Sequence, residues 1–158
     1  VAAALFVFTT ASGSLELWRM TRTEAVAHRM WSREELALAE DFRKISEPTS
    51  LVLCSDHHHH WVPSLSGRQV LLGYRGWLAS YGVDYGPVER DIRAMLGGGP
   101  DAEALMADYG VDFVVIGSSE LRDFGANESY FEQNHELILD RADNKVFSLQ
   151  RDSESDRL

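Results

Sequence analysis

Tyr109-Gly-Val-Asp-Phe-Val-Val-Ile-Gly117 holds the clearest strand in the chain, Val111 to Ile116, apolar without a break from Phe113 to Ile116 and flanked by glycine on both sides. Such a run, without polar alternation, suits a strand covered on both faces, as in the interior of an α/β sheet. Thr49-Ser-Leu-Val-Leu-Cys-Ser55 has the same character, and Gln69-Val-Leu-Leu72 is a shorter third candidate bounded by Gly67 and Gly73. Helical patterns surround these strands. Ser32-Arg-Glu-Glu35 is a capping box followed by Leu38, Phe42 and Ile45, which predicts a helix over residues 33–46 closed by Pro48. Pro87 opens a second helix carrying Val88, Ile92, Met95 and Leu96, ended by Gly97-Gly-Gly99. Pro100-Asp101, with Asp101 as cap, starts a third that runs to Gly110, and a further helical piece falls near 128–135. Residues 137–141 and 145–150, parted by Ala-Asp-Asn, pair as a hairpin, and 151–158 form a polar tail. Strands alternating with helices imply an α/β fold: a small, mainly parallel sheet flanked by helices, finished by a C-terminal antiparallel hairpin.

Composition narrows the function. With 158 residues, 44% hydrophobic and 25% charged, the chain is one ordinary globular domain in size and make-up. Its net charge of −10 repels a phosphate backbone, which argues against nucleic acid as a partner. The single cysteine, Cys54, rules out an internal disulfide framework and a cysteine-based zinc site.

The N-terminus is unlike the rest. Val1-Ala-Ala-Ala-Leu-Phe-Val-Phe-Thr-Thr-Ala-Ser-Gly-Ser-Leu15 carries no charge, and it is too short by itself to cross a bilayer. The favoured reading makes residues 1–15 the end of a truncated transmembrane span; a secretory remnant and a piece of soluble core are the alternatives. Residues 16–47 then form a juxtamembrane segment and helix, 48–150 the α/β soluble domain, and 151–158 a disordered tail. Trp18, Met20, Met30 and Trp31 suit an interfacial position, while Arg19, Arg22, Arg29 and Arg33 point by the positive-inside rule toward the cytoplasm.

Two segments could carry chemistry. His57-His-His-His60 follows a strand, at the sheet edge where ligands of open α/β folds bind. On an extended chain alternate side chains share a face, so His57 with His59, or His58 with His60, could meet at a divalent metal. A zinc site needs three or four ligands, for which Asp56 or His135 would have to join. The alternatives are a ligand-contacting loop and a solvated loop in which one histidine bonds to structure. The second segment runs through Arg68, Tyr74, Arg75, Trp77, Tyr81 and Tyr85. Two arginines can fork onto phosphate or carboxylate, and the aromatics can stack on sugars or lipid headgroups; alternatively they are packing, with the arginines paired to internal carboxylates. Gly117-Ser-Ser119 could offer backbone N–H groups to a phosphate, although it lacks the residues of a P-loop. Asn127-Glu-Ser129 is a formal glycosylation sequon. No nucleophile elbow or zinc-protease motif is present, so no catalytic residue is assigned.

Taken in order, the apolar segment, the helix, the strand, Trp61-Val-Pro-Ser-Leu-Ser-Gly-Arg68, Leu72-Gly-Tyr-Arg-Gly-Trp77, Tyr81-Gly-Val-Asp-Tyr85 and Tyr109 to Gly117 resemble the C-terminal soluble domain of polytopic membrane proteins related to GT-C class, lipid-linked-sugar glycosyltransferases. The resemblance implies a catalytic core in a membrane body outside this chain, an extracytoplasmic position for the folded domain, and Arg68, Tyr74, Arg75, Trp77 and Tyr81 as a surface toward that body or a lipid-linked sugar. The four-histidine run departs from that pattern. Three functions follow: an accessory domain of such a glycosyltransferase, a non-catalytic structural or interaction domain of a membrane protein, and a stand-alone ligand-binding domain with its site at His57–His60.

Overall fold

The computed structural model describes residues 2–22 and 30–149. The tail assigned to 151–158 and much of the segment before Trp31 lie outside the described residues. The chain divides into two compact units, Val1–Met30 and Trp31–Leu158.

The first unit holds α1, Ala2–Arg22. Phe6, Phe8, Leu15, Leu17, Trp18 and Met20 are exposed on it. Thr10 returns its hydroxyl to the Phe6 carbonyl at 2.7 Å, and Arg19 pairs with Glu16 at 2.8 Å. Among the described residues no helix is long and apolar enough to cross a membrane. The expected truncated span over residues 1–15 therefore finds no support in α1: its 21 residues suffice in length, but Thr9, Thr10, Ser12, Ser14, Glu16, Arg19 and Arg22 dilute its hydropathy.

The second unit is an α/β fold. Its elements are α2 (Arg33–Ile45), β1 (Leu51–Leu53), β2 (Gln69–Val70), α3 (Arg75–Ser80), α4 (Gly86–Gly97), α5 (Pro100–Tyr109), β3 (Phe113–Ile116), α6 (Glu128–Asn134), β4 (Glu136–Arg141) and β5 (Asn144–Ser148). Two single-turn π-helices, Val62–Ser66 and Glu120–Phe124, follow β1 and β3. Ser32 caps α2 in the box expected from its sequence: the hydroxyl accepts from Glu35 N at 3.0 Å, and the Glu35 carboxylate accepts from Ser32 N at 2.7 Å. Gly99, rather than Asp101, stands at the cap of α5, because Pro100 already occupies its first turn.

The five strands run in the order β2-β1-β3-β5-β4. β1 is parallel to β2 and β3, with Val52 opposite Val70 and Phe113; β5 is antiparallel to β3 and β4. The sheet is thus mixed, correcting the expected mainly parallel one. The reason is that the C-terminal hairpin inserts β5 directly beside β3, so half of the strand pairings are antiparallel. Two apolar clusters cover the faces. Leu38, Phe42, Trp61 and Val115 pack on one, with Phe42 edge-on to Phe113 at 5.2 Å; Leu53, Ile92, Met95, Val114, Phe131 and Phe147 pack on the other.

Candidate functional site

Because β1, β2 and β3 are parallel, the segments that follow them emerge at one sheet edge: Cys54–His60, Leu71–Arg75 and Gly117–Glu120. That edge is where open α/β sheets bind ligands.

Its foundation is Glu120, the first residue of the second π-helix and only 1% exposed. One carboxylate oxygen accepts from Ser55 N at 2.8 Å and faces His60 Nε2 at 3.1 Å; the other accepts from Gly117 N at 2.9 Å. The phosphate-binding potential read into Gly117-Ser-Ser119 is therefore filled by the chain's own carboxylate. A Cβ at Gly117 would stand 2.5 Å from Asn144 Oδ1 and 3.3 Å from the Glu120 carboxylate, so a larger residue there would displace the Asn144 side chain. Burial works against the charge on Glu120, but the hydrogen bonds from His60 Nε2 and the Ser55 N–H outweigh it and hold the carboxyl below its ordinary range. For His60, burial opposes protonation while Cys54 and Glu120 favour it and push its pKa up. Yet His60 Nδ1 accepts the Val62 N–H at 3.2 Å, which leaves no place there for a second ring proton. The backbone therefore holds a neutral ring that donates from Nε2 to the carboxylate. With both ring nitrogens engaged, His60 is a structural clamp between the two π-helices and not a base.

A second buried carboxylate, Asp56, takes Arg75 Nε at 2.7 Å and Arg75 N at 3.2 Å. Arg75 Nη1 reaches Glu89 at 2.7 Å, and Glu89 also receives Arg93 at 2.8 Å. The Arg93 and Arg75 hydrogen bonds and charges hold the Glu89 carboxyl below its ordinary range. Arg75 therefore ties α3 to the end of β1, with its guanidinium committed to internal partners. Arg68 is likewise committed: it donates to Ser46 Oγ at 2.8 Å, the Ser46 carbonyl at 2.7 Å, the Arg43 carbonyl at 2.9 Å and the Ser66 carbonyl at 3.0 Å. These bonds close the C-terminal end of α2, away from the histidine loop.

The aromatic candidates do come together. His58 lies 4.8 Å from the Tyr74 ring and 4.5 Å from the Trp77 ring, and those two are 5.9 Å apart. No side chain of α3 is buried; Trp77 is 59% exposed and Tyr81 83%. Behind this wall lies a cleft of about 320 Å³ lined by Ser55, Asp56, His58, Val70, Leu72 and Trp77, among others. Ser55 Oγ stands near Glu120 but outside hydrogen-bond geometry, and it and His58 Nδ1 are buried without a partner. Buried polar atoms of this kind normally find a partner, so two at one cleft mark it as incomplete.

His57 is exposed, and its Nδ1 accepts from His59 N at 3.4 Å; the His59 carbonyl accepts from Trp31 Nε1 at 2.9 Å. His135 bonds Glu103 at 2.8 Å, so it is engaged away from this loop. Among the described residues, no three His, Cys, Asp or Glu side chains are grouped to hold a metal ion. Cys54 is buried beside the clamp. Ser55 and Glu120 are the residues that sequence reasoning left unassigned. Only the position of Ser55 and Asp56 after a buried strand could have singled them out; Glu120 was one carboxylate among 25 acidic residues.

The fold and edge together define a mixed α/β domain with a small cleft at the ends of its parallel strands. No family model, curated protein or solved structure matches the chain.

Proposed function

We propose that the chain is an accessory domain of a membrane-embedded glycosyltransferase-like protein, presenting the edge formed by the histidine loop and α3 to a sugar or lipid-linked substrate on the extracytoplasmic side. The observation that carries this reading is the α3 segment. A helix with no buried side chain holds Tyr74 and Trp77 at the mouth of a cleft, and Arg75 anchors it to the buried Asp56. Aromatic rings held open beside unpaired polar groups suit a ligand with an apolar face and a hydrogen-bonding rim. The resemblance of the Trp61–Arg68, Leu72–Trp77 and Tyr81–Tyr85 motifs to GT-C proteins supports the sugar, and the exposed apolar side chains of α1 support attachment to lipid or to a membrane body.

Trp77→Ala and Tyr81→Ala, introduced into the gene and assayed in isolated membranes for transfer from a polyprenyl-phosphate sugar, should lower transfer at least about fivefold. They should leave the unfolding midpoint of the 158-residue chain unchanged. Full transfer by both variants, or equal losses of stability and transfer, contradicts the reading. A second reading, a stand-alone ligand-binding domain, is favoured by the unpaired Ser55 and His58 atoms at the cleft; binding by the chain with no dependence of membrane transfer on Trp77 selects it.

A further inference from the structure

We propose that the cleft behind β1 and β2 binds one uncharged, hydroxyl-bearing ring of monosaccharide size, held by the Ser55 hydroxyl and His58 Nδ1 beside the exposed Trp77. This deepens the preceding reading and rests on it for the ligand face. Four observations converge. A volume of about 320 Å³ lies at the small end of ligand pockets and suits a single ring. The two unpaired atoms are of types that can each donate or accept, an ambivalence that a ligand hydroxyl shares and a carboxylate or ammonium does not.

Charge argues in the same direction. Among the described residues no lysine or arginine lines the cleft. Its one carboxylate, Asp56, is neutralised by Arg75, and Arg75 and Arg68 are committed to internal partners. An anion would enter with no lysine or arginine to meet it and against a net −10, and a cation would find its carboxylate already paired. Finally, His58 and Tyr74 each pack near-perpendicular to Trp77, whose indole stays 59% exposed, a platform for the C–H face of a ring. A buried hydroxyl without a partner costs stability, so keeping Ser55 where alanine would fit reads as a concession to binding.

Calorimetric titration of the 158-residue chain tests this. The probes are methyl α-D-glucopyranoside, methyl α-D-mannopyranoside and methyl α-D-galactopyranoside, set against α-D-mannose 1-phosphate and choline. At least one neutral glycoside should bind in roughly the millimolar range, more tightly than either charged probe. Ser55→Ala and His58→Phe should each weaken it about tenfold, while Ser55→Ala leaves the urea midpoint equal or higher. The inference is overturned if no glycoside binds, if the phosphate or choline binds more tightly, if Ser55→Ala binds as the parent does, or if Ser55→Ala lowers the midpoint, since its hydroxyl would then have an internal partner. Glycoside binding combined with membrane transfer indifferent to Trp77 removes the accessory-domain reading and leaves the cleft. Loss of transfer in Trp77→Ala without glycoside binding does the reverse.

Discussion

Glu120 shows how one side chain can replace a ligand. Its carboxylate takes the Ser55 and Gly117 N–H groups and the His60 ring, joining the ends of two strands and the starts of two π-helices. The carboxyl is held below its ordinary 4.5. Because the folded value is the lower one, the stabilisation is complete above the unfolded value and is lost as pH falls through the folded one. Urea unfolding between pH 5 and 2 should therefore show a steep loss of stability in the parent. Glu120→Gln, which sets an NH₂ against a backbone donor, should be less stable at pH 7 by about 2–4 kcal/mol and should lack most of that slope. An unchanged slope would mean that another carboxylate carries the acid sensitivity. None of this was legible in the sequence, where one glutamate among many has no distinguishing spacing and its partners lie up to 65 residues away.

At the scale of elements, what the chain encodes locally was readable and what it encodes by distant pairing was not. Ser32 to Glu35 announced α2, and the Gly97–Gly99 run announced the break between α4 and α5, since caps and breakers act within a turn. The β4–β5 hairpin was equally plain, but its insertion beside β3 depends on long-range register, and that insertion made the sheet mixed. Its turn also carries a cost: Ala142 and Asp143 both sit at φ 56, the left-handed region that suits Asn-Gly. Ala142→Asn with Asp143→Gly should raise the unfolding free energy by about 1 kcal/mol in chemical denaturation; a loss would show that Asp143 makes a contact worth more than the relieved strain. Arg68 looked like a ligand fork and proves to be the closure of α2. Arg68→Ala should cost about 1–2 kcal/mol in the same measurement while leaving glycoside affinity intact; a selective loss of affinity would return it to the site.

For the whole molecule, both apolar clusters are built from residues at or beyond Trp31, and α2, expected in a juxtamembrane segment, contributes Leu38, Ala39 and Phe42 to one of them. Removing residues 1–30 should accordingly shift the melting temperature by no more than about 2 °C, under 1 kcal/mol for a chain of this size; a larger fall would make the first unit part of the core. The α/β class and the site's edge were foreseeable, because buried strand runs and the rule for parallel strand ends require no side-chain detail. The cleft itself was not, since it consists of what Ser55 and His58 fail to bond. A second cavity, of about 330 Å³ and lined by Glu103, Met106, Val111 and Leu149, offers a direct control. Amide shift mapping of the labelled 158-residue chain with the binding methyl glycoside should move Ser55, His58, Gly73 and the Trp77 indole first and leave the Glu103–Val111 region still. Shifts confined to that second cavity, or none at the Ser55 edge at saturation, would contradict the assignment of the site.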